Sequence, residues 1–179
     1  MIPLYILAGG KSIRFGSDKA RAELAGQPLI ARVAQALTSV VSSTTVVADV
    51  DDKYLDLGLR TISDDEPGLG PMGGLVTALG DVDDEELLLV SCDMAFVDPG
   101  WVALLMAVPG HAVAFRDAGG WQPLFAVYRR SVASQVHDLI AAGELSMQVL
   151  LDNLAKAVPV PAKWAGSINT PQELDGLRY

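Results

Sequence analysis

The stretch PLYILAGGKSIRFGSDKA, residues 3–20, runs from five apolar or aromatic-rich positions straight into a loop holding Gly9, Gly10 and Gly16 with Lys11, Arg14 and Lys19. An apolar run that ends in glycines reads as a buried strand whose carboxyl end opens into a loop. The exposed N–H groups of such a loop can converge on an anion, and a phosphate chain is the natural candidate. Two familiar phosphate loops do not fit. Gly10-Lys11-Ser12 matches the end of a Walker A loop, but the first glycine of that pattern would fall at Tyr5, inside the strand. Gly9, Gly10 and Gly16 do not have the spacing of a dinucleotide fingerprint either.

Outward from this stretch, short apolar runs alternate with segments of helical period. Residues 28–41 begin with Pro28 at a first helical position and carry Leu29, Ile30, Val33, Leu37 and Val40 on one face, which predicts an amphipathic helix. Strands are predicted at 44–47 and 59–62, a helix at 71–79, the most apolar strand at 86–91, and a helix at 98–108 with Asp98 as N-cap. Strands joined in this way predict a mainly parallel sheet covered on both faces, hence the α/β class. Further on, 111–116 and 123–128 read as a strand pair around a turn, and 131–155 as two helices broken near Gly143. A short strand at 157–160 and a terminal helix from Pro171 complete the pattern.

The length of 179 residues suits one domain spanning 1–179. With 22 acidic against 13 basic side chains the formal charge is −9, which opposes attachment to nucleic acid or to an anionic membrane surface and favours a small ligand. Cys92 is the only cysteine, so no internal disulfide forms, and a reducing compartment such as the cytoplasm is expected. Every apolar run is cut well before the ~20 residues that a membrane span needs. The apolar N-terminus lacks a basic leader and is read as the first strand rather than a secretory core.

Ligands of an open parallel sheet sit at the carboxyl ends of its strands, so the residues following each apolar run are the informative ones. These are Gly9, Gly10, Arg14 and Lys19 after the first; Asp64, Asp65 and Glu66 after the third; Cys92, Asp93 and Met94 after the fourth. Asp93 is either a turn or capping residue or a ligand for Mg²⁺, a hard ion that takes one or two carboxylates with waters and phosphate oxygens. Arg14 and Lys19 are either solvated loop bases or a clasp on phosphates, Arg14 as a fork donor and Lys19 as a point charge offsetting negative charge near a leaving pyrophosphate. The segment 67–74, with four glycines and two prolines, is a tight turn or a place where a flat base approaches the backbone. His111 and His137 lack further ligands for a zinc set and are expected to be structural, as is Cys92. Trp101, Trp121 and Trp164 fall in separate segments and are expected to make no stacking row.

Taken together, LAGGKSIRFGSDK at 7–19, with Gly26-Gln27-Pro28-Leu29, Gly70-Pro71-Met72, Ser91-Cys92-Asp93-Met94, the run 122–129 and Asn169-Thr170-Pro171, resembles the molybdenum cofactor guanylyltransferases of the MobA-like NTP transferase family. The resemblance covers nearly the full chain. It implies a Rossmann-like three-layer α/β/α domain of the nucleotide-diphospho-sugar transferase type, with GTP and molybdopterin carrying molybdenum as substrates. GMP would be transferred to the pterin's terminal phosphate, with Mg²⁺ as cofactor and passing contacts with proteins that deliver or receive the product. By the same resemblance Leu7, Ala8, Gly9, Gly10 and Lys19 bind the nucleotide, Asp64 contacts it, Asp93 holds the metal, and Asn169 touches the acceptor or the metal. Arg14, Lys19 and Asp93 form the expected catalytic set. The family's asparagine after the second strand is replaced by Ala48, followed by Asp49, and the first of its paired C-terminal asparagines by Ser167. Alternative readings are a molybdopterin cytidylyltransferase, a sugar-phosphate nucleotidyltransferase, or a nucleotide-binding regulatory module without catalysis.

Overall fold

Strand β1 (Ile2–Leu7) alternates its side chains between two separate cores: Ile2, Leu4 and Ile6 enter one, Tyr5 and Leu7 the other. This period of two, with every residue buried, is what a strand covered on both faces requires. The computed structural model describes residues 1–9, 18–94, 96–162, 164, 168, 170, 172 and 173. Gly10, Arg14, Ser167, Asn169 and the terminal helix expected from Pro171 lie outside the described residues, apart from a helical Gln172–Glu173 pair.

After β1 come a small hairpin, β2 (Glu23–Leu24) and β3 (Gln27–Pro28), then helix α1 (Leu29–Leu37), β4 (Val41–Ala48), β5 (Arg60–Ser63), α2 (Pro71–Asp81) and β6 (Glu86–Ser91). The second half comprises α3 (Pro99–Met106), β7 (Ala112–Asp117), β8 (Gly120–Arg129), α4 (Ala133–Ala141), α5 (Met147–Leu154) and β9 (Ala155–Pro159). The main sheet has seven strands in the order β5-β4-β1-β6-β8-β7-β9. Strands β5, β4, β1 and β6 are mutually parallel, β8 is antiparallel to β6 and β7, and β9 runs parallel to β7.

One core packs α1 and α3 on the sheet through Ile30, Val33, Leu37, Trp101, Val102 and Leu105. The opposite core packs α2, α4 and α5 through Met72, Leu75, Val136, Met147, Leu150 and Leu151. The layers are therefore α/β/α, and each large apolar side chain so buried contributes about 1.5–3 kcal/mol.

Two local expectations need correction. Pro28 is the residue before helix α1 rather than its first turn, and the helix stops at Leu37, with Val41 already in β4. The hairpin of β2 and β3 was not anticipated. It turns on Ala25 and Gly26, both with positive φ (55° and 76°), the geometry of a two-residue hairpin turn. The N-cap at Asp98 is as expected, its carboxylate accepting from Gly100 N–H at 2.8 Å.

Candidate active site

From β1 the chain passes to β4 and β5 on one side, then crosses to β6 on the other side of β1. The carboxyl ends of β1 and β6 thus flank the point where strand order reverses, the usual ligand crevice of such sheets. The ends are tied together: Cys92 N–H donates to Leu7 O at 3.1 Å, and Ala8 N–H to Val47 O at 2.9 Å.

Across this crevice the ammonium of Lys19, in a 3-10 turn (Lys19–Arg21), meets the carboxylate of Asp93 beyond β6 at 2.5 Å. Both side chains are mostly shielded from water, at 16% and 14% exposure. The second oxygen of Asp93 accepts from Ser91 Oγ at 2.6 Å, and its backbone carbonyl accepts from Ile168 N–H at 2.8 Å. Ile168 in turn packs with Leu24 and Leu29, so the unanticipated hairpin buttresses the loop that bears Asp93. Two of the three expected catalytic residues are therefore in contact, and Leu7 is tied through its carbonyl to Cys92, the residue before Asp93.

Asp64 follows β5, with its N–H on Ala48 O at 2.7 Å. Its carboxylate turns toward α2, where Oδ1 lies within hydrogen-bond reach of Glu66 N–H (3.0 Å) and Thr77 Oγ1 (3.2 Å). The glycine-rich segment beside it works in two ways. Gly70 caps α2 with φ 62° and ψ −144°, a conformation nearly closed to other residues. Gly73 and Gly74 instead permit close approach, because a Cβ would fall 2.5 Å from Glu66 O at Gly73 and 2.7 Å from Leu7 Cδ2 at Gly74. Helix α2 thereby connects the Asp64 loop to the end of β1.

Asp49 is 67% exposed and paired with Lys53 Nζ at 2.7 Å, which holds its carboxylate below the usual range. Cys92 is buried, and burial, with the Asp93 charge adding to it, pushes its thiol up to about 12, so no thiolate forms at neutral pH. His111 contacts Ser131 Oγ at 2.9 Å. The three tryptophans form no stacking row: Trp121 stays apart on Asp152, whereas Trp101 and Trp164, tilted with centroids 5.1 Å apart, share a cluster with Phe96, Phe115 and Phe125. Phe96, three residues beyond Asp93, is the exposed member at 42%.

Strand β8 carries a further feature. Ala114 pairs with Ala126 but Phe115 with Gln122, so residues 123–125 bulge from the pairing with β7, while Phe125 stays in register with Val90 of β6. Tyr128 OH fastens the bulge by donating to Pro123 O at 2.9 Å. Bulges re-aim side chains, and this one faces β6 three residues before Asp93.

A sequence model of the MobA-like NTP transferase domain matches residues 4–158. The chain belongs to the MobA-like NTP transferase family. Among its relatives, a probable molybdenum cofactor guanylyltransferase of Chloroflexus aggregans is 33% identical, the alignment covering 97% of this chain and 92% of the relative. The molybdenum cofactor guanylyltransferase of Pseudomonas entomophila is 32% identical over 89% and 85%. In fold, the chain matches the crystal structure of molybdopterin-guanine dinucleotide biosynthesis protein A from Archaeoglobus fulgidus with a TM-score of 0.82 at 24% identity, covering 99% and 97%. As a MobA-like NTP transferase, the chain has the expected nucleotide-diphospho-sugar transferase fold, and the contact of Lys19 with Asp93 lies at the crevice that this fold opens. No helix among the described residues is long and apolar enough to cross a membrane.

Proposed function

We propose that the chain transfers GMP from GTP to molybdenum-bearing molybdopterin, releasing pyrophosphate and forming the guanine dinucleotide cofactor. Its membership of a nucleotidyltransferase family and its guanylyltransferase relatives support this reading. The observation that carries it is the meeting of Lys19 and Asp93 at the crevice. A regulatory module that only binds nucleotide has little use for a cation and a carboxylate poised together.

In the reaction the acceptor's terminal phosphate oxygen forms a bond to the α-phosphorus as the bond to pyrophosphate breaks. Backbone groups of Leu7, Ala8 and Gly9 border the triphosphate, and Gly10 and Arg14 continue that loop. Lys19 offsets charge gathering on the leaving group, while the Asp64 loop and α2 receive the nucleoside. Asn169 would touch the acceptor or the metal. Asp93 suits a hard cation: its carboxylate already faces an ammonium, and Mg²⁺ takes one or two carboxylates with the remainder from water and phosphate. Among the described residues no cluster of three or more His, Cys, Asp or Glu could hold a metal, so further ligands would come from the nucleotide. When bound, such an ion supplies Lewis-acid charge to the phosphate oxygens. The reaction is proposed for the cytoplasm, with brief contacts to proteins that supply and collect the cofactor.

Calorimetry with GTP and CTP in Mg²⁺, followed by pyrophosphate release with molybdopterin as acceptor, tests the reading. GTP should bind at least about tenfold tighter, or ~1.4 kcal/mol. Equal or reversed affinities would support cytidylyl transfer instead.

A further inference from the structure

The turn that carries Lys19 is gripped on both sides by the connection between β4 and β5. On one side, Asp18 caps the turn, Oδ1 accepting from Ala20 N–H at 3.1 Å. The same carboxylate receives the hydroxyl of Tyr54, whose oxygen lies 3.1 and 2.9 Å from its two oxygens. Lys53 Nζ stands 3.4 Å from Asp18 Oδ2 and completes its link to Asp49. On the other side, Arg21 forks onto Asp56 with two bonds of 2.8 Å and donates to Lys53 O at 2.8 Å. The guanidinium of Arg21 and the ammonium of Lys53 flank the Tyr54 ring, 5.2 and 5.5 Å from its centroid.

These restraints differ in strength. Arg21 and Asp56 are open to water, and an exposed ion pair contributes little. Tyr54 is 0% exposed, so its bond to Asp18 is charge-assisted and shielded. Burial and the Asp18 carboxylate both raise the phenol above its ordinary range, so it remains a donor throughout the working pH. Asp18, fixed by Tyr54, then fixes the amide one residue beyond Lys19. Fully buried, the ring offers no open surface to a substrate; its leverage is on the turn.

We propose that Tyr54 is a positioning residue for nucleotidyl transfer, holding through Asp18 the turn from which Lys19 reaches Asp93 and the triphosphate. This role rests on the proposed reaction. A double-mutant cycle on the full chain tests it, with Tyr54→Phe, Lys19→Ala and the pair compared in kcat and in KM for GTP. The ring of Tyr54→Phe still fills its site, so the protein should fold. Its kcat should fall by about tenfold, with KM moving much less, because a small misplacement acts on the transition state more than on binding. In the Lys19→Ala background the same substitution should cost nothing further, since the group it positions is gone. Should Tyr54→Phe fail to fold, Asp18→Asn, which keeps the shape but weakens the charge-assisted bond from the Tyr54 hydroxyl, goes through the same cycle with the same expectation. An active parent whose two losses multiply independently, or whose kcat does not change, overturns the role of Tyr54 alone. An inactive parent overturns the proposed reaction and this role with it.

Discussion

Lys19 Nζ lies 2.5 Å from Asp93 Oδ2, closing a contact between residues 74 positions apart. The loop after β1 and the loop after β6 supply opposite charges to one crevice, and each charge offsets the cost of burying the other. If Asp93 takes a metal ion as proposed, the ammonium competes with it for the same carboxylate. Lys19→Ala should therefore act in two opposite directions. Pyrophosphate release should fall by about 10²-fold or more, as for loss of one preorganised donor. Mn²⁺ binding without nucleotide, followed by electron paramagnetic resonance, should become tighter than in the parent. Unchanged Mn²⁺ affinity would mean that the ammonium and the metal do not compete for Asp93.

Asp93→Asn keeps the shape and removes the charge. Ser91 Oγ can still donate to the amide oxygen, and the bond from Ile168 N–H is to the backbone, so the loop should persist. Stability should drop by about 1–3 kcal/mol for the lost charged partner. Transfer should fall by about 10²-fold or more and lose its ordinary dependence on Mg²⁺. A variant with the parent's rate and metal dependence would reduce Asp93 to a turn residue.

Asp81, far from the crevice chemistry, sets a pH dependence of stability. It accepts from Tyr5 OH at 2.7 Å and from both terminal nitrogens of Arg60 at 2.7 Å. The Arg60 bonds, helped by Tyr5 and opposed by burial, hold its carboxyl below the ordinary range. A depressed carboxylate stabilises the fold above its unfolded pKa, and that contribution is lost as pH falls through the folded value. Asp81→Ala should cost about 1–3 kcal/mol at pH 7, chiefly by stranding the buried Tyr5 hydroxyl. Denaturation curves should show the gap between the two proteins narrowing below about pH 4. A gap independent of pH would remove the charge from the explanation.

Much of the fold was legible because its central strands β1 and β6 are buried on both faces and lead into glycine or acid. Strand β6 was expected and found at the same residues, 86–91, since its four consecutive apolar residues permit little else. Lys19 and Asp93 could be picked out by their places after apolar runs, but the contact between them depends on β1 and β6 being neighbours, which no local pattern states. The hairpin of β2 and β3 was hidden because Ala25, at a position where Asn or Gly is usual, gives no turn signal. Tyr54 was hidden for another reason: in the polar stretch between β4 and β5 it looks like a loop residue, and only the tertiary fold buries it against Asp18. The meeting of Trp101 with Trp164 is not legible in sequence, because only the tertiary fold brings β7, β8 and the segment at Trp164 together beneath α3.

Two of the three glycines in helix α2 should respond oppositely to alanine. At Gly73 the added Cβ would lie 2.5 Å from the backbone oxygen of Glu66 and 3.2 Å from Asp64 Oδ1, so the 64–66 loop has to move. Overpacking of this kind costs about 1–3 kcal/mol. At Gly80, exposed in the same helix, nothing lies within 4 Å of the added atom. There alanine only reduces the freedom of the unfolded chain, and the protein should gain about 0.4–1 kcal/mol. The two variants also separate stability from binding. Because Asp64 and the glycine-rich segment are assigned to the nucleoside, Gly73→Ala should weaken GTP binding in calorimetry, while Gly80→Ala should leave it unchanged. Destabilisation at Gly73 with full GTP affinity would place the nucleoside away from the Asp64 loop.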